Sequence, residues 1–331
     1  MAKQILPDNL IANIKAVGAG TFTAWLAENE FTLPKAENLF ESLELAFEDG
    51  TMQISDILSG ISELEENSDK NIFLFQTKSL KKLITDQKEI LKEIKKEYGY
   101  APSTDATIRV TPGDGPTFVY MTVDQDEIKM KFAETHYDKE DDLANDRYIR
   151  VPRIVNVFFI VELKSGFAQI RFDAPGQIHT HRNDQSKSSE VVYQNYYKDL
   201  FVKLFPTVPF EQFSLTGVAN YIRLKEKERF LMQKLVSTVS EGVKQTHSNP
   251  RKKDVRFIKE LIGAAATDDK NEWLTEDISG YWLASHSQGQ LKRDLFMRIY
   301  RRDSEIRVLR GCLKKELDYG ISQIREIQAS I

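Results

Sequence analysis

Apolar residues recur at helical spacing through the first hundred positions, which predicts a front end built of short helices. Asp8 is suited to cap a first helix carrying Leu10, Ile11 and Ile14, interrupted at Gly18 and Gly20. Phe22, Trp25 and Leu26 follow at the same spacing. Pro34 fits the first turn of a helix that buries Leu39, Leu43 and Phe47, and Gly50 suits its end. Ser55 or Asp56 opens a short helix with Ile57, Leu58, Ile61 and Leu64. Beyond a polar break and the run Ile72-Phe73-Leu74-Phe75, residues Leu83, Ile84, Ile90, Leu91 and Ile94 form one stripe of a lysine-rich amphipathic helix ending near Tyr98.

The period changes from Tyr100 to about Ser189. Thr107–Thr111 and Thr117–Val123 read as strands around the turn Pro112-Gly113-Asp114-Gly115-Pro116. Ile128, Met130 and Phe132 alternate with lysines in another. The acidic stretch Asp138 to Asp146 reads as a solvated loop. Val155–Val161 is the most strand-like run, and Ser165-Gly166 returns it into Phe167–Phe172 as a hairpin. Roughly five antiparallel strands are expected here.

From residue 190 the pattern reads as helical again. Helices are expected at Val191–Phe205, about Thr216–Gln245 and Val255–Ala266, with a short amphipathic piece at Trp273–Ser285. Leu291, Leu295, Ile299, Ile306, Leu309, Leu313, Leu317, Ile321, Ile324 and Ile327 read as one long helix, or two broken near Gly311. The fold class is therefore α+β. It has three parts: a helical bundle over 1–98, an antiparallel β domain over 99–189, and a helical, basic region over 190–331. A chain starting near Tyr100 is expected to fold alone. No internal repeat is visible.

Charge changes this picture more than composition does. Residues 1–98 carry 11 Lys and no Arg against 17 acids, whereas 191–331 carry 24 Lys and Arg against 18. Arginine forks pair with phosphates or carboxylates, so the back half is the better candidate for an acidic partner. Cys312 is the only cysteine, which excludes an internal disulfide and a thiolate zinc site and suits a reducing, cytoplasmic location. No apolar run approaches the roughly 20 residues of a membrane span, and the start lacks the order of a signal peptide.

Four features bear on chemistry. Lys292, Arg293, Arg298, Arg301, Arg302, Arg307 and Arg310, with Tyr300 interleaved, lie on what reads as one helix, and Arg251, Lys252 and Lys253 open another. Positions 298, 301 and 302 would share a helical face able to track a phosphate backbone. The alternative is a solvated face, or one docked on the acidic front. Glu162-Leu163-Lys164 ends a strand in the E-x-K order of restriction-endonuclease-like sites, where Glu helps hold Mg²⁺ and Lys steadies water, with Asp146 or Asp138 as the upstream acid. The alternative is a polar strand end at a turn. His179 and His181 could begin a metal site with Asp173 or Asp184. His136, His247 and His286 read as solitary, and Cys312 as packing.

Trp25-Leu26-Ala27-Glu28-Asn29, the turn Ile54-Ser55-Asp56, Phe73-Leu74-Phe75-Gln76, the lysine-rich Leu80–Lys96 and the strands around Ile108 and Phe118–Val123 give residues 20–135 an order that resembles the centromere protein N family. The resemblance implies a death-fold-like helical front, a β-containing part and a non-catalytic role in binding DNA and protein. It does not extend to the back half, and no binding residue carries over.

The first expectation is thus a non-enzymatic adaptor or complex subunit, without cofactor or membrane, with protein partners and a phosphate backbone met by C-terminal arginine helices. The second is a Mg-dependent nuclease using Glu162 and Lys164. The third is a protein-interaction module whose acidic front self-associates or recruits a partner.

Overall fold

The structure is a computed structural model that describes residues 6–85, 87–99, 103–108, 110–113, 115–142, 147–173, 189–238, 244–248, 254–257, 274–301, 304–308 and 311–331. The front end folds as expected into helices α1 (Asp8–Val17), α2 (Ala19–Glu28), α3 (Leu39–Glu48) and α4 (Ile54–Asn67). Gly18, at φ +90°, lets α1 and α2 meet at 90°. Asn38, rather than Pro34, starts α3, its side chain accepting from the Phe40 and Glu41 amides at 3.0 and 3.1 Å. Gly60 leaves room for Trp25, whose ring carbons would lie 2.7 Å from an added Cβ. Leu10, Ile14, Phe22, Trp25, Leu43, Ile57, Ile61 and Leu64 share one core with Leu313 from the far end of the chain. No single described helix is long and apolar enough to cross a membrane.

The chain then enters a sheet. Its strands are β1 (Lys70–Gln76), β2 (Thr117–Val123), β3 (Glu127–Asp142), β4 (Arg147–Glu162), β5 (Phe167–Asp173), β6 (Glu211–Gln212), β7 (Phe230–Thr238), β8 (Lys244–Ser248), β9 (Leu274–Trp282), β10 (Leu295–Tyr300) and β11 (Glu305–Val308). The order is β2-β3-β4-β5-β1-β11-β10-β9-β7-β8, with β6 also on β1 and each of these pairings antiparallel. Helices α5 (Leu80–Thr85), α6 (Gln87–Tyr98), α7 (Ser189–Leu204), α8 (Thr216–Lys225) and α9 (Lys314–Ser330) complete the described architecture.

β1 is the hinge of this arrangement. It comes from the acidic front, yet β5 borders it on one side and β11 and β6 on the other. Successive side chains alternate between faces. Ile72 and Leu74 join a core with α8, α9, β7 and β9–β11; Phe73 and Phe75 join another with α6, α7 and β2–β5. One sheet therefore runs across both positions where the composition changes, 98 and 189.

The α+β class and the helical front hold, but the helices expected across 216–310 need correction. The structure places a short α8 there, then five strands before α9. The Thr216–Gln245 helix ends at Lys225, ahead of the strand Phe230-Leu231-Met232. Trp273–Ser285 contains β9 rather than an amphipathic helix, and Leu291–Ile306 contains β10 and the start of β11. A spacing of four, as in Leu291, Leu295 and Ile299, fits a 3.6 period and a 2.0 period alike. Met297, buried between Leu295 and Ile299, identifies the alternation. Val255–Phe257 is a single 3₁₀ turn, and the rest of the helix expected to Ala266 lies outside the described residues. Likewise Asp138–Asp142 extend β3 instead of forming a loop, while Thr107, Ile108, Val110 and Thr111 are not in a strand.

Candidate nucleic-acid interface

In antiparallel strands, directly paired residues share a face. Register therefore places Lys234 of β7, Ser279 of β9, Arg298 of β10 and Arg307 of β11 in one row. The row above holds Leu231, Tyr281 and Phe296; the row below holds Val236, Asp277, Tyr300 and Glu305. Their alternate neighbours Met232, Ile278, Met297, Ile299 and Ile306 point into the core with α8 and α9. The outward rows are the opposite face. Helix α7 reaches the margin of this face, where Gln194 Nε2 donates to Glu305 Oε2 at 2.5 Å.

The two arginines sit among rings. Tyr281 and Phe296 meet edge-on with centroids 4.9 Å apart. Arg298 Cζ lies 6.0 Å from the Phe296 centroid, and Arg307 Cζ lies 5.3 Å from that of Tyr300, both within cation–π range. Arg307 also donates to Glu305 at 3.1 Å. Burial pulls the Arg307 guanidinium below its usual value, but a guanidinium remains charged in any protein. Arg298 differs. Its Nε is buried without a hydrogen-bond partner, and among the described cations of the run from Lys292 to Arg310 it alone has no carboxylate in ion-pair range.

The expected arginine face therefore does not form as a helix. Arg298 is on the outward side of β10. Arg301 follows the strand and turns to the other side, 3.6 Å from Glu276 and 3.4 Å from Thr216 Oγ1. Arg293 binds Glu316 at 3.1 Å and the Gly311 carbonyl at 2.6 Å, holding the start of α9. Lys292 pairs with Glu28 at 2.5 Å, one contact between the basic back and the acidic front. Arg302, Arg310, Arg251, Lys252 and Lys253 lie outside the described residues, as do His179 and His181. Helical spacing leaves out Tyr281, Phe296 and Lys234, and takes Tyr300 only as a ring interleaved in the expected helix. The alternation Phe296-x-Arg298-x-Tyr300 is the signal that marks them.

The E-x-K pair is separated in its contacts. Glu162 accepts from Arg325 of α9 at 3.0 Å and from Ser165 at 2.5 Å, while exposed Lys164 pairs with Asp126. Asp146 lies outside the described residues. Both members of the Glu162–Arg325 pair are about a third exposed. Glu162→Ala is accordingly expected to lower stability by no more than about 1 kcal/mol and to leave nucleic-acid affinity unchanged. Parallel melts and binding titrations check this, and lost Mg²⁺ binding at an unchanged melting temperature would restore the nuclease reading.

Two further residues are engaged. His136 is not solitary: its Nε2 is 2.7 Å from Glu134 Oε1, which also accepts from the Tyr197 hydroxyl, all three being buried. Cys312 is buried, its Sγ 3.2 Å from the Asn67 carbonyl, and burial, with Glu316 adding, pushes the thiol from near 9.0 up to about 12. A thiol reagent at neutral pH should leave the folded chain unlabelled and label it fully in denaturant. Labelling of the native protein at the rate of a free thiol would contradict this burial.

Compared with known proteins, the chain matches no protein-family model and no curated protein.

Proposed function

We propose that this chain is a non-enzymatic nucleic-acid-binding protein, acting as an adaptor or subunit of a larger complex. Its contact surface is the outward face of β9–β11 in place of an arginine helix, and its ligand is single-stranded. The carrying observation is Arg298: a guanidinium with no carboxylate partner, beside Arg307 and between the ring rows of Phe296–Tyr281 and Tyr300. A groove that binds single strands combines cations along the backbone with aromatic side chains on which bases stack. Exposed Lys234 extends the cation row two strands further, about 10 Å from Arg298. The resemblance to centromere protein N implies the same non-catalytic class. The acidic front is then free to serve protein partners.

The test is equilibrium binding of a labelled single-stranded oligonucleotide as a function of salt. Arg298→Ala and Lys234→Ala should each weaken binding and flatten the slope of log affinity against log salt by about 0.7. Lys88, Lys92 and Lys95 replaced together by Ala, on α6 in the net-negative front, should do neither. Equal weakening by both sets, or no binding by the wild type at low salt, would reject the reading.

A further inference from the structure

A cleft of about 260 Å³ lies between α9 and the face of β3–β5 turned away from α6 and α7. At one end β5 supplies two donors. Gln169 and Arg171 alternate with the core residues Ala168, Ile170 and Phe172, so both stand on the cleft side. They are 5% and 2% exposed. Arg171 Nε donates to Gln169 Oε1 at 3.0 Å, which fixes the oxygen of that amide and leaves Nε2 as a donor. Gln169 Nε2 has no acceptor among the described residues. Arg171 Nη2 has none either, because Asp318 on α9 is 3.8 Å away, beyond hydrogen-bond reach.

At the other end, Glu127 of β3 stands directly opposite Glu162 of β4, where like charges repel. Lys129 is 3.3 Å from Glu127 but 2.7 Å from Glu66, and Arg325, lying 4.0 Å over the Phe167 ring, donates to Glu162 at 3.0 Å. A carboxylate has about four lone-pair sites, so each of these two can take another donor. Between the ends, Ile160 and Ile321, each 3% exposed, form an apolar waist.

We propose that this cleft binds a free basic amino acid of the lysine type. The carboxylate accepts from Gln169 Nε2 and Arg171 Nη2, and the α-ammonium donates to Asp318 beside them. The methylene stem lies on Ile160 and Ile321, and the terminal ammonium sits between Glu127 and Glu162. Asp318 and Arg325 mark the two ends on α9, about 10 Å apart at the rise of a helix, the scale of an extended lysine with a hydrogen bond at each end. The volume is below the roughly 300–1,000 Å³ of pockets for drug-sized ligands, which suits a single amino acid. Four carboxylates and three cations line the cleft, a balance that turns away a bare anion and admits a ligand carrying both signs. Register puts Arg171 on the face of Ile72 and Ile306, the reverse of the Arg298 face, so this site stands apart from the single-strand reading.

Isothermal titration of the full chain with L-lysine tests this, and saturable one-to-one binding is expected. L-norleucine, which lacks the terminal ammonium, and cadaverine, which lacks the carboxylate, should each bind at least about tenfold more weakly. Glu127→Gln keeps the shape of its side chain, and Lys129 keeps Glu66. That variant should melt like the wild type and lose about tenfold in lysine affinity. Glu162→Gln should lose as much, and gives a second reading if Glu127→Gln does not fold. No saturable binding of L-lysine by the wild type overturns the proposal. So does equal affinity for L-norleucine or cadaverine, or unchanged lysine affinity in either folded variant.

Discussion

Removing residues 1–98 is expected to abolish cooperative folding of everything that remains. The change of composition at Tyr100 suggests a separable front, but β1 lies inside the sheet. Its loss would strip β5 and β11 of their common neighbour. Ile72, Phe73, Leu74 and Phe75 are at most 4% exposed, two in each of the main cores. At about 1.5–3 kcal/mol per buried side chain, these four contribute about 6–12 kcal/mol. That is comparable to the whole net stability of a typical domain, about 5–15 kcal/mol. Thermal and urea melts of the 99–331 chain decide the point. A cooperative transition near the wild-type midpoint would show that the sheet tolerates the gap.

Arg171→Ala should be the most damaging single substitution in the β5 region. Arg171 of β5 is 2% exposed and bridges elements distant in sequence. Its Nε donates to Gln169 at 3.0 Å, and one terminal nitrogen reaches Asn67 at 2.5 Å and Glu66 at 3.4 Å on α4. The other lies 3.8 Å from Asp318 on α9. The site holds the helical front and the last helix to the sheet. Glu66 also receives Lys129 at 2.7 Å. Burial alone would pull the Lys129 ammonium down, yet Glu66 and Glu127 together hold it above its ordinary value. Breaking a buried pair by removing one partner costs about 3–5 kcal/mol, because a charge is left without its counterpart. Arg171→Met with Glu66→Leu should recover much of that loss, since Lys129 keeps Glu127 and Asp318 keeps Lys314. Urea unfolding of the single and double variants tests the order. A single-variant loss below about 1 kcal/mol would mean that the network is solvated and does not hold the elements together.

The helical front was legible because its apolar residues repeat at three and four and its ends carry turn residues. The β4–β5 hairpin was legible from Val155–Val161, Ser165-Gly166 and the return, with Gly166 at φ +68°. The strands of the back half were hidden because Leu291, Leu295 and Ile299 satisfy both periods, and charged residues between them mimic a helix surface. What settles them is tertiary: pairing with β1, seventy-odd positions from the start, is not written locally. The candidate face inherits that limit. Arg298 and Arg307 were visible as charge, but cross-strand register, not sequence spacing, brings them together and sends Arg301 away.

The most direct test of the account is to find where a single strand lies. The full chain, irradiated with ultraviolet light in complex with an oligonucleotide and digested, should give cross-linked peptides from β9 and β10. Attachment should map to Tyr281, Phe296 or Tyr300, and it should disappear in the presence of excess unlabelled single strand. Cross-links confined to other segments, such as α6 or the β3–β4 hairpin, would contradict the assignment of the β9–β11 face.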